Sequence, residues 1–157
     1  MMENDLDKRI ELAKENFKAG FNCSQSIFSA FADMYGIDKE TALKLSSSFG
    51  GGIGRMRQTC GVACGMFMLA GMEQGTSDPK DHEAKADTYK LVQDLAAAFK
   101  EKNGAINCGE LLGLTPNSAI SSTPEARTDQ YYKKRPCAQI VEEGAKIWAN
   151  YLKKQQK

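Results

Sequence analysis

The fifteen residues from Gln58 to Met72 read QTCGVACGMFMLAGM and contain no charged side chain. A run of this length is too short to span a bilayer as a helix, which takes about 20 apolar residues. In a chain with 26% charged residues, so apolar a segment belongs in the interior. We therefore expect a helix capped by Thr59 and buried at the centre of the protein, running to roughly Glu73.

The rest of the chain has helical rather than strand periodicity. Only three valines occur, and β-branched residues do not alternate with polar ones. Apolar residues instead recur every three or four positions in segments bounded by capping residues, prolines or glycines. The predicted helices besides the central one are Leu6 to Gly20, Asn22 to Gly36, Asp38 to about Leu45, Asp78-Pro79 to Gly104, Cys108 to Leu112 after a cap at Asn107, a short one opened by Pro124, and a last one opened by Pro136 and ending in a frayed tail from Lys153.

Two of these helices have a well-defined apolar stripe that is expected to face the core. The stripe of the long helix is predicted as Tyr89, Val92, Ala96 and Phe99. The stripe of the last helix is predicted as Cys137, Ile140, Val141, Ala145, Trp148 and Leu152. With 157 residues, the sequence predicts an all-α, single-domain bundle of about five to seven helices, its core lying between about residues 6 and 152.

Charge and the first residues bear on partners and location. Lysine and arginine total 21 against 20 acidic residues, so there is no basic excess to attract nucleic acid or an anionic membrane. The chain opens with Met1-Met2-Glu3-Asn4-Asp5, which is acidic where a secretory signal peptide is basic. We expect a cytoplasmic protein that binds neither nucleic acid nor membrane, and self-association into a homo-oligomer stays open.

Five cysteines without a secretion signal indicate a reducing compartment, where thiols stay free unless chemistry or a metal uses them. Five inert core residues are the plain alternative, because cysteine is among the most buried residue types. Four of the five share a position at a predicted helix start: Cys23 after Asn22, Cys60 after Thr59, Cys108 after Asn107 and Cys137 after Pro136. A first helical turn stabilises thiolate, so this recurrence favours thiol chemistry, with the sulfurs expected in one or two clusters.

Cys64 follows Cys60 by four residues, so both side chains lie on one face of the central helix. That spacing suits two ligands of one metal ion, or an attacking and a resolving thiol. The alternative to redox chemistry is therefore a site that holds a metal ion or an iron–sulfur cluster permanently. Its candidate ligands are Cys23, Cys60, Cys64, Cys108 and Cys137. His82 is the only histidine, which excludes a histidine-rich site, and it is expected at the surface.

Glycines around the central helix suggest a place for a cofactor. Gly61 and Gly65 leave one face of this helix bare, which permits close approach of a cofactor or of another helix. The loop before it contains the sequence GGGIG followed by Arg55 and Arg57, but it lacks the lysine and hydroxyl residue of a nucleotide-binding P-loop. Arg55 is a candidate to bind an anionic cofactor or, with Arg57, to lower the pKa of Cys60.

Several motifs follow one another in an order that resembles a known family. They are Asn22-Cys23-Ser24-Gln25, the glycine loop Phe49 to Gly54, Cys60-Gly61-Val62-Ala63-Cys64-Gly65, Cys108-Gly109-Glu110-Leu111-Leu112-Gly113, and Cys137 with its helix. This pattern resembles the C_GCAxxG_C_C family of redox-active proteins, over about residues 6 to 152. The family has alanine after Cys-Gly where this chain has Val62, and Cys64 lies at a variable position. The resemblance implies that the other four cysteines form the shared functional set, and it implies no substrate.

The leading hypothesis is a thiol oxidoreductase in which two of the four shared cysteines cycle between dithiol and disulfide, with a partner protein or a small oxidant. Metal or cluster binding is the rival. A third interpretation is a helical interaction protein with inert cysteines, using Tyr131-Tyr132 and the methionines of the central helix. Cys60 is the expected nucleophile, because a helix start, Thr59 and two nearby arginines all favour its thiolate, and Cys137 is expected to be next.

Overall fold

The computed structural model describes residues 3–115 and 120–156, and this part of the chain folds into eight α-helices without a strand. The helices are α1 (Glu3–Lys18), α2 (Cys23–Phe31), α3 (Lys39–Ser47), α4 (Gly61–Gln74), α5 (His82–Asn103), α6 (Cys108–Leu111), α7 (Asp129–Lys134) and α8 (Cys137–Gln155). A short 3-10 helix, Ala32–Tyr35, follows α2 and ends at Gly36 in the left-handed conformation. The all-α prediction is confirmed, with one helix more than the predicted range in the residues described.

Helix α4 lies at the centre, as predicted from the uncharged segment Gln58 to Met72. Its buried residues face in several directions, from Val62 and Ala63 to Met66, Leu69 and Ala70. It packs against α2, α5 and α8, while α1 packs against α2 and α8. The largest buried side chain, Trp148 of α8, belongs to the same continuous core. In the described part of the chain, none of the helices combines the length and apolar character needed to cross a membrane.

Glycines allow α4 to approach its neighbours closely. A Cβ atom on Gly65 would lie 2.3 Å from Cγ2 of Ile27 in α2. Across the core, a Cβ on Gly144 of α8 would lie 2.2 Å from Cγ1 of Val62. The face of α4 left bare by glycine is therefore filled by helix packing, and this contact fixes the start of α2 beside the start of α4.

Helix α5 departs from its predicted boundary and stripe. Asp78 accepts a hydrogen bond from the Lys80 N–H and so forms a turn, and it is Asp81 that caps the helix by accepting from the Ala84 N–H at 3.0 Å. The buried stripe consists of Leu91, Leu95 and Phe99. Tyr89 is 65% exposed, contrary to the prediction, because two residues correspond to about 200° around a helix and place it opposite Leu91.

Three other boundaries differ from the predictions. Thr59 stays extended, because it pairs with Asn107 in an isolated antiparallel bridge, and Cys60 is the N-cap of α4 instead. No helix begins at Pro124; α7 begins later, capped by the Thr128 side chain, which accepts from the Tyr131 N–H. The tail from Lys153 is helical to Gln155 rather than frayed, and the Lys153 ammonium lies 3.4 Å from Oδ1 of Asp7 in α1.

Candidate functional site

The structure brings four of the five cysteines to one small cavity of about 20 Å³. Three of these cysteines are first residues of helices and the fourth is an N-cap: Cys23 of α2, Cys108 of α6, Cys137 of α8, and Cys60 before α4. Cys64 is buried but does not line this cavity; its Sγ lies 3.9 Å from the Thr59 carbonyl oxygen. The four residues of the shared set thus converge, and the additional cysteine lies outside.

Local hydrogen bonds hold the cysteine-bearing helix starts. Asn22 and Gln25 form a capping box at α2, in which each side chain accepts from the backbone N–H of the other. Asn107 caps α6 by accepting from the Glu110 N–H. The bridge between Thr59 and Asn107 adds two backbone hydrogen bonds, from the Cys60 N–H to Ile106 at 2.8 Å and from the Cys108 N–H to Gln58 at 2.6 Å. The starts of α4 and α6 are therefore tied directly to each other.

The glycine loop covers the cysteines in an uncommon backbone conformation. Residues 51–55 all have positive φ, with values from 57° to 76°, and Arg57 follows at 61°. Ile53, with φ of 63°, is a genuine outlier because β-branched residues strongly disfavour this region. A Cβ on Gly52 would lie 2.6 Å from the Cys108 Cβ, so the loop backbone rests against that cysteine. The glycines were visible in the sequence, whereas the continuous left-handed run was not predicted.

A larger cavity of about 440 Å³ opens beside the cysteines. Three thiols reach it, and four arginines with one glutamate surround them. The charged lining residues are Arg55, Arg57, Arg127, Arg135 and Glu125. This charge balance is strongly positive, in a protein whose total charge is near zero.

The arginines are held in different ways. Arg55 donates from Nη1 to the carbonyl oxygens of Ser121 and Thr123. Arg57 donates to the Cys108 sulfur at 3.6 Å. Arg135 forms an ion pair with Glu125.

Arg127 contacts aromatic rings, backbone carbonyls and the Tyr132 hydroxyl. Its guanidinium lies 4.3 Å from the centre of the Phe17 ring and 4.9 Å from that of Tyr131. It also donates to the carbonyls of Phe17 at 3.0 Å and Phe21 at 2.9 Å. Sequence reasoning missed Arg127, since no local motif marks a single arginine whose backbone partners, Phe17 and Phe21, lie more than a hundred residues away.

The Cys23 and Cys137 thiols line the same two cavities, and their mutual influence separates their pKa values. Hydrogen bonding with Cys137 raises the pKa of Cys23 well above its usual range, and burial raises it further. The same hydrogen bond lowers the pKa of Cys137 to about 7 against the effect of burial, with help from Arg135, Arg127 and Arg57. Cys137 also lies at the N-terminus of the 19-residue helix α8, which favours thiolate.

The other thiols favour their neutral form. Burial raises the pKa of Cys60 to about 12 and that of Cys64 to about 11. Burial also raises the pKa of Cys108, although Arg57 opposes the effect. These directions favour Cys137 rather than Cys60 as the thiolate, and which cysteine reacts first stays a prediction. The Cys60 thiolate is disfavoured because Cys60 is only 5% exposed and Arg57, expected beside it, contacts Cys108 instead.

Two predicted binding roles can be placed in the structure. Gly61 and Gly65 pack closely against α2, since a Cβ on Gly61 would lie 3.2 Å from the Ser24 nitrogen. Gly61 also lines the small cavity of the four cysteines, and the role of the two glycines in holding a cofactor stays a prediction. Among the residues described, no group of three or more His, Cys, Asp or Glu side chains has the arrangement to hold a metal ion. His82 is exposed at the first turn of α5, as expected.

An all-α protein with four cysteines converging from four helix starts is the class that this fold and site define. The model of one family, "Putative redox-active protein (C_GCAxxG_C_C)", matches residues 21–151. The chain belongs to this family, and the membership supports a redox role in general terms. The comparison with curated proteins and the comparison with solved structures found no match.

The buried thiols predict a loss of stability at alkaline pH. A thiol whose pKa is raised by folding stabilises the protein fully at any pH below the pKa of that thiol in the unfolded chain, roughly 8.5. This contribution is lost as the pH rises through the pKa of the thiol in the folded protein. For Cys60 and Cys64 that window extends to about 12 and about 11. Cys137 acts oppositely, since its contribution is lost as the pH falls through about 7. Urea unfolding should therefore show a falling free energy of unfolding from about pH 9 upward.

Tyrosines and lysines also titrate in this range, so the comparison with Cys64→Ala isolates the thiol. The free energy of this variant should fall less steeply with pH, by up to one proton in the slope. Identical slopes for the two proteins would contradict the assignment of Cys64 as a thiol kept neutral by burial.

Proposed function

We propose that the protein is a thiol oxidoreductase whose working couple is Cys23 and Cys137. The observation that supports this most directly is that both thiols line the same two cavities, with opposite shifts of their pKa values. A thiolate at neutral pH beside a protonated thiol is the arrangement of an attacking and a resolving cysteine. Both residues line the 440 Å³ cavity, so a substrate in it has access to them.

The proposed step is thiol–disulfide exchange. The Cys137 thiolate attacks one sulfur of a substrate disulfide, the substrate S–S bond breaks, and the departing thiolate takes a proton from solvent. Cys23 then loses its proton to solvent and attacks the Cys137 sulfur, which leaves a Cys23–Cys137 disulfide and expels the second substrate thiolate, which takes a proton from solvent. Two electrons pass from the protein dithiol to the substrate disulfide, and a dithiol donor reverses the process.

The surrounding residues have separate roles in this proposal. Arg135, Arg127 and Arg57 keep the attacking sulfur ionised, since all three lower the pKa of Cys137. Cys60 is 5% exposed and lines only the cavity of about 20 Å³. In this proposal its thiol stays protonated and does not react. Cys64 has no part in the step, because it lines neither cavity.

Disulfide mapping tests the proposal. The reduced protein is equilibrated anaerobically with oxidised and reduced dithiothreitol at a series of ratios, alkylated in acid, digested and analysed by mass spectrometry. We expect one disulfide, between Cys23 and Cys137, that forms and disappears reversibly. Metal content and visible absorption are recorded on the same freshly purified sample. Five thiols that stay reduced at every ratio, a different pair, or a stoichiometric metal or coloured cluster that protects four cysteines from alkylation would each contradict it.

A further inference from the structure

The charge around the thiols identifies the kind of disulfide that the site would take. Four arginines line the cavity of about 440 Å³, and Glu125 is the one carboxylate among its lining residues. Glu125 pairs with Arg135, while Arg55, Arg57 and Arg127 form no ion pair with the side chains that the structure describes. Guanidinium groups that lie together without counter-charges produce a positive electrostatic potential, which attracts anions into the cavity beside the reactive sulfur.

Crowding of these cations is visible at Arg55. Burial lowers the pKa of Arg55, and the positive charges of Arg57 and Arg135 lower it further. Both hydrogen bonds described for Arg55 begin at Nη1. Its Nε and Nη2 donors have no partner among residues 3–115 and 120–156, and a carboxylate would both accept from them and relieve the repulsion.

The arginines also come from two separate parts of the chain. Arg55 and Arg57 directly follow the glycine loop and also have positive φ, whereas Arg127 and Arg135 flank α7. Three thiols, those of Cys23, Cys108 and Cys137, line the same cavity. This arrangement suits a ligand that presents sulfur to the cysteines and carboxylates to the guanidinium forks.

We infer that the substrate is a small disulfide bearing carboxylate groups, bound by Arg55 and its neighbouring arginines with its S–S bond beside Cys137. This inference rests on the proposed function and specifies its substrate class. The exchange is the one written above: two substrate thiols carrying carboxylates leave, and the Cys23–Cys137 disulfide remains. The carboxylates take no part in the electron transfer and act only in binding.

Three disulfides of different charge test the inference: anionic dithiodipropionate, neutral bis(2-hydroxyethyl) disulfide and cationic cystamine. The rate of oxidation of the reduced full-length protein is measured with each, and divided by the rate of free 2-mercaptoethanol with the same disulfide to remove differences in intrinsic reactivity. At low ionic strength we expect the anionic compound to react at least tenfold faster than the neutral one, and cystamine to be slowest. High salt should remove most of this preference.

Arg55→Gln should lower the ratio of anionic to neutral rates at least threefold, and Arg55→Lys should recover part of it, because lysine keeps the charge without the fork. Lys90→Gln is the matched control: Lys90 is an exposed cation of α5 that pairs with Asp94 and does not line the cavity. Equal normalised rates for the three disulfides, or a preference that salt and Arg55→Gln leave intact, would overturn the inference alone. Failure of all three disulfides to oxidise the protein would overturn the proposed function itself.

Discussion

Replacing Cys137 by serine is expected to abolish the fast thiol chemistry of the protein. In the reduced, metal-free protein at pH 7, a pKa of about 7 leaves about half of Cys137 as thiolate, whereas Cys60, with a pKa of about 12, is almost entirely protonated. Greater intrinsic nucleophilicity of the more basic thiolate recovers only part of the difference, so Cys137 should react on the order of a hundred times faster. Cys137→Ser should lose this phase and the ability to form the disulfide.

The measurement is the rate of labelling by a sub-stoichiometric alkylating agent, assigned by peptide mapping. Its pH dependence in the unmodified protein should show a midpoint near the pKa of Cys137, about 7. Cys64→Ser is the matched control, since Cys64 is a buried cysteine outside both cavities and its loss should leave the fast phase intact. A fast phase that maps to Cys60 would restore the order expected from the sequence, and one that maps to Cys64 would contradict both.

Substituting alanine for Gly52 should have the second large effect, on stability and on the site together. Gly52 has φ of 76°, and an added Cβ would lie 2.6 Å from the Cys108 Cβ and 2.7 Å from the Arg57 Cα. The left-handed conformation costs alanine roughly 1–2 kcal/mol, and crowding against backbone adds roughly 1–3 kcal/mol. We expect the free energy of unfolding to fall by about 2–5 kcal/mol in total.

Gly54→Ala separates these two contributions. Gly54 also has positive φ, 57°, but the nearest atom to its added Cβ is the Ser48 carbonyl oxygen at 3.9 Å. It should therefore lose only the conformational part, roughly 1–2 kcal/mol, and keep the reactivity of Cys137. Urea unfolding and alkylation of both variants provide the comparison. Equal losses of stability in the two would show that the loop does not press on Cys108.

Local signals in the sequence were enough to place the cysteines on their helices. Asn22 and Asn107 are caps where the capping preference predicted them, and Gly104 ends α5 in the left-handed conformation. The buried central helix followed from the uncharged segment Gln58 to Met72. Boundaries failed where a competing hydrogen bond was available, as at Asp78, whose side chain closes a turn before the helix begins.

The chemistry of individual thiols could not be predicted in the same way, because it depends on neighbours that are distant in sequence. Arg57 lies three residues before Cys60, yet its backbone has φ of 61° and its side chain contacts Cys108. The low pKa of Cys137 is caused mainly by Cys23, which lies near the opposite end of the chain. Arginines that include Arg127 lower it further. The number of residues between a charged side chain and a thiol predicts their proximity only when the backbone between the two residues is regular secondary structure.

The placement of Cys23 at the start of α2 and Cys137 at the start of α8 has a thermodynamic consequence. A covalent link between them would enclose residues 24–136, most of the chain, and a cross-link over so long a loop removes much of the entropy of the unfolded ensemble. Oxidation of the two thiols and folding of the chain are therefore linked in one thermodynamic cycle. Whatever stability the disulfide confers on the native state, the native state confers on the disulfide in equal measure, so a substitution that loosens α2 against α8 would also make the protein a stronger oxidant.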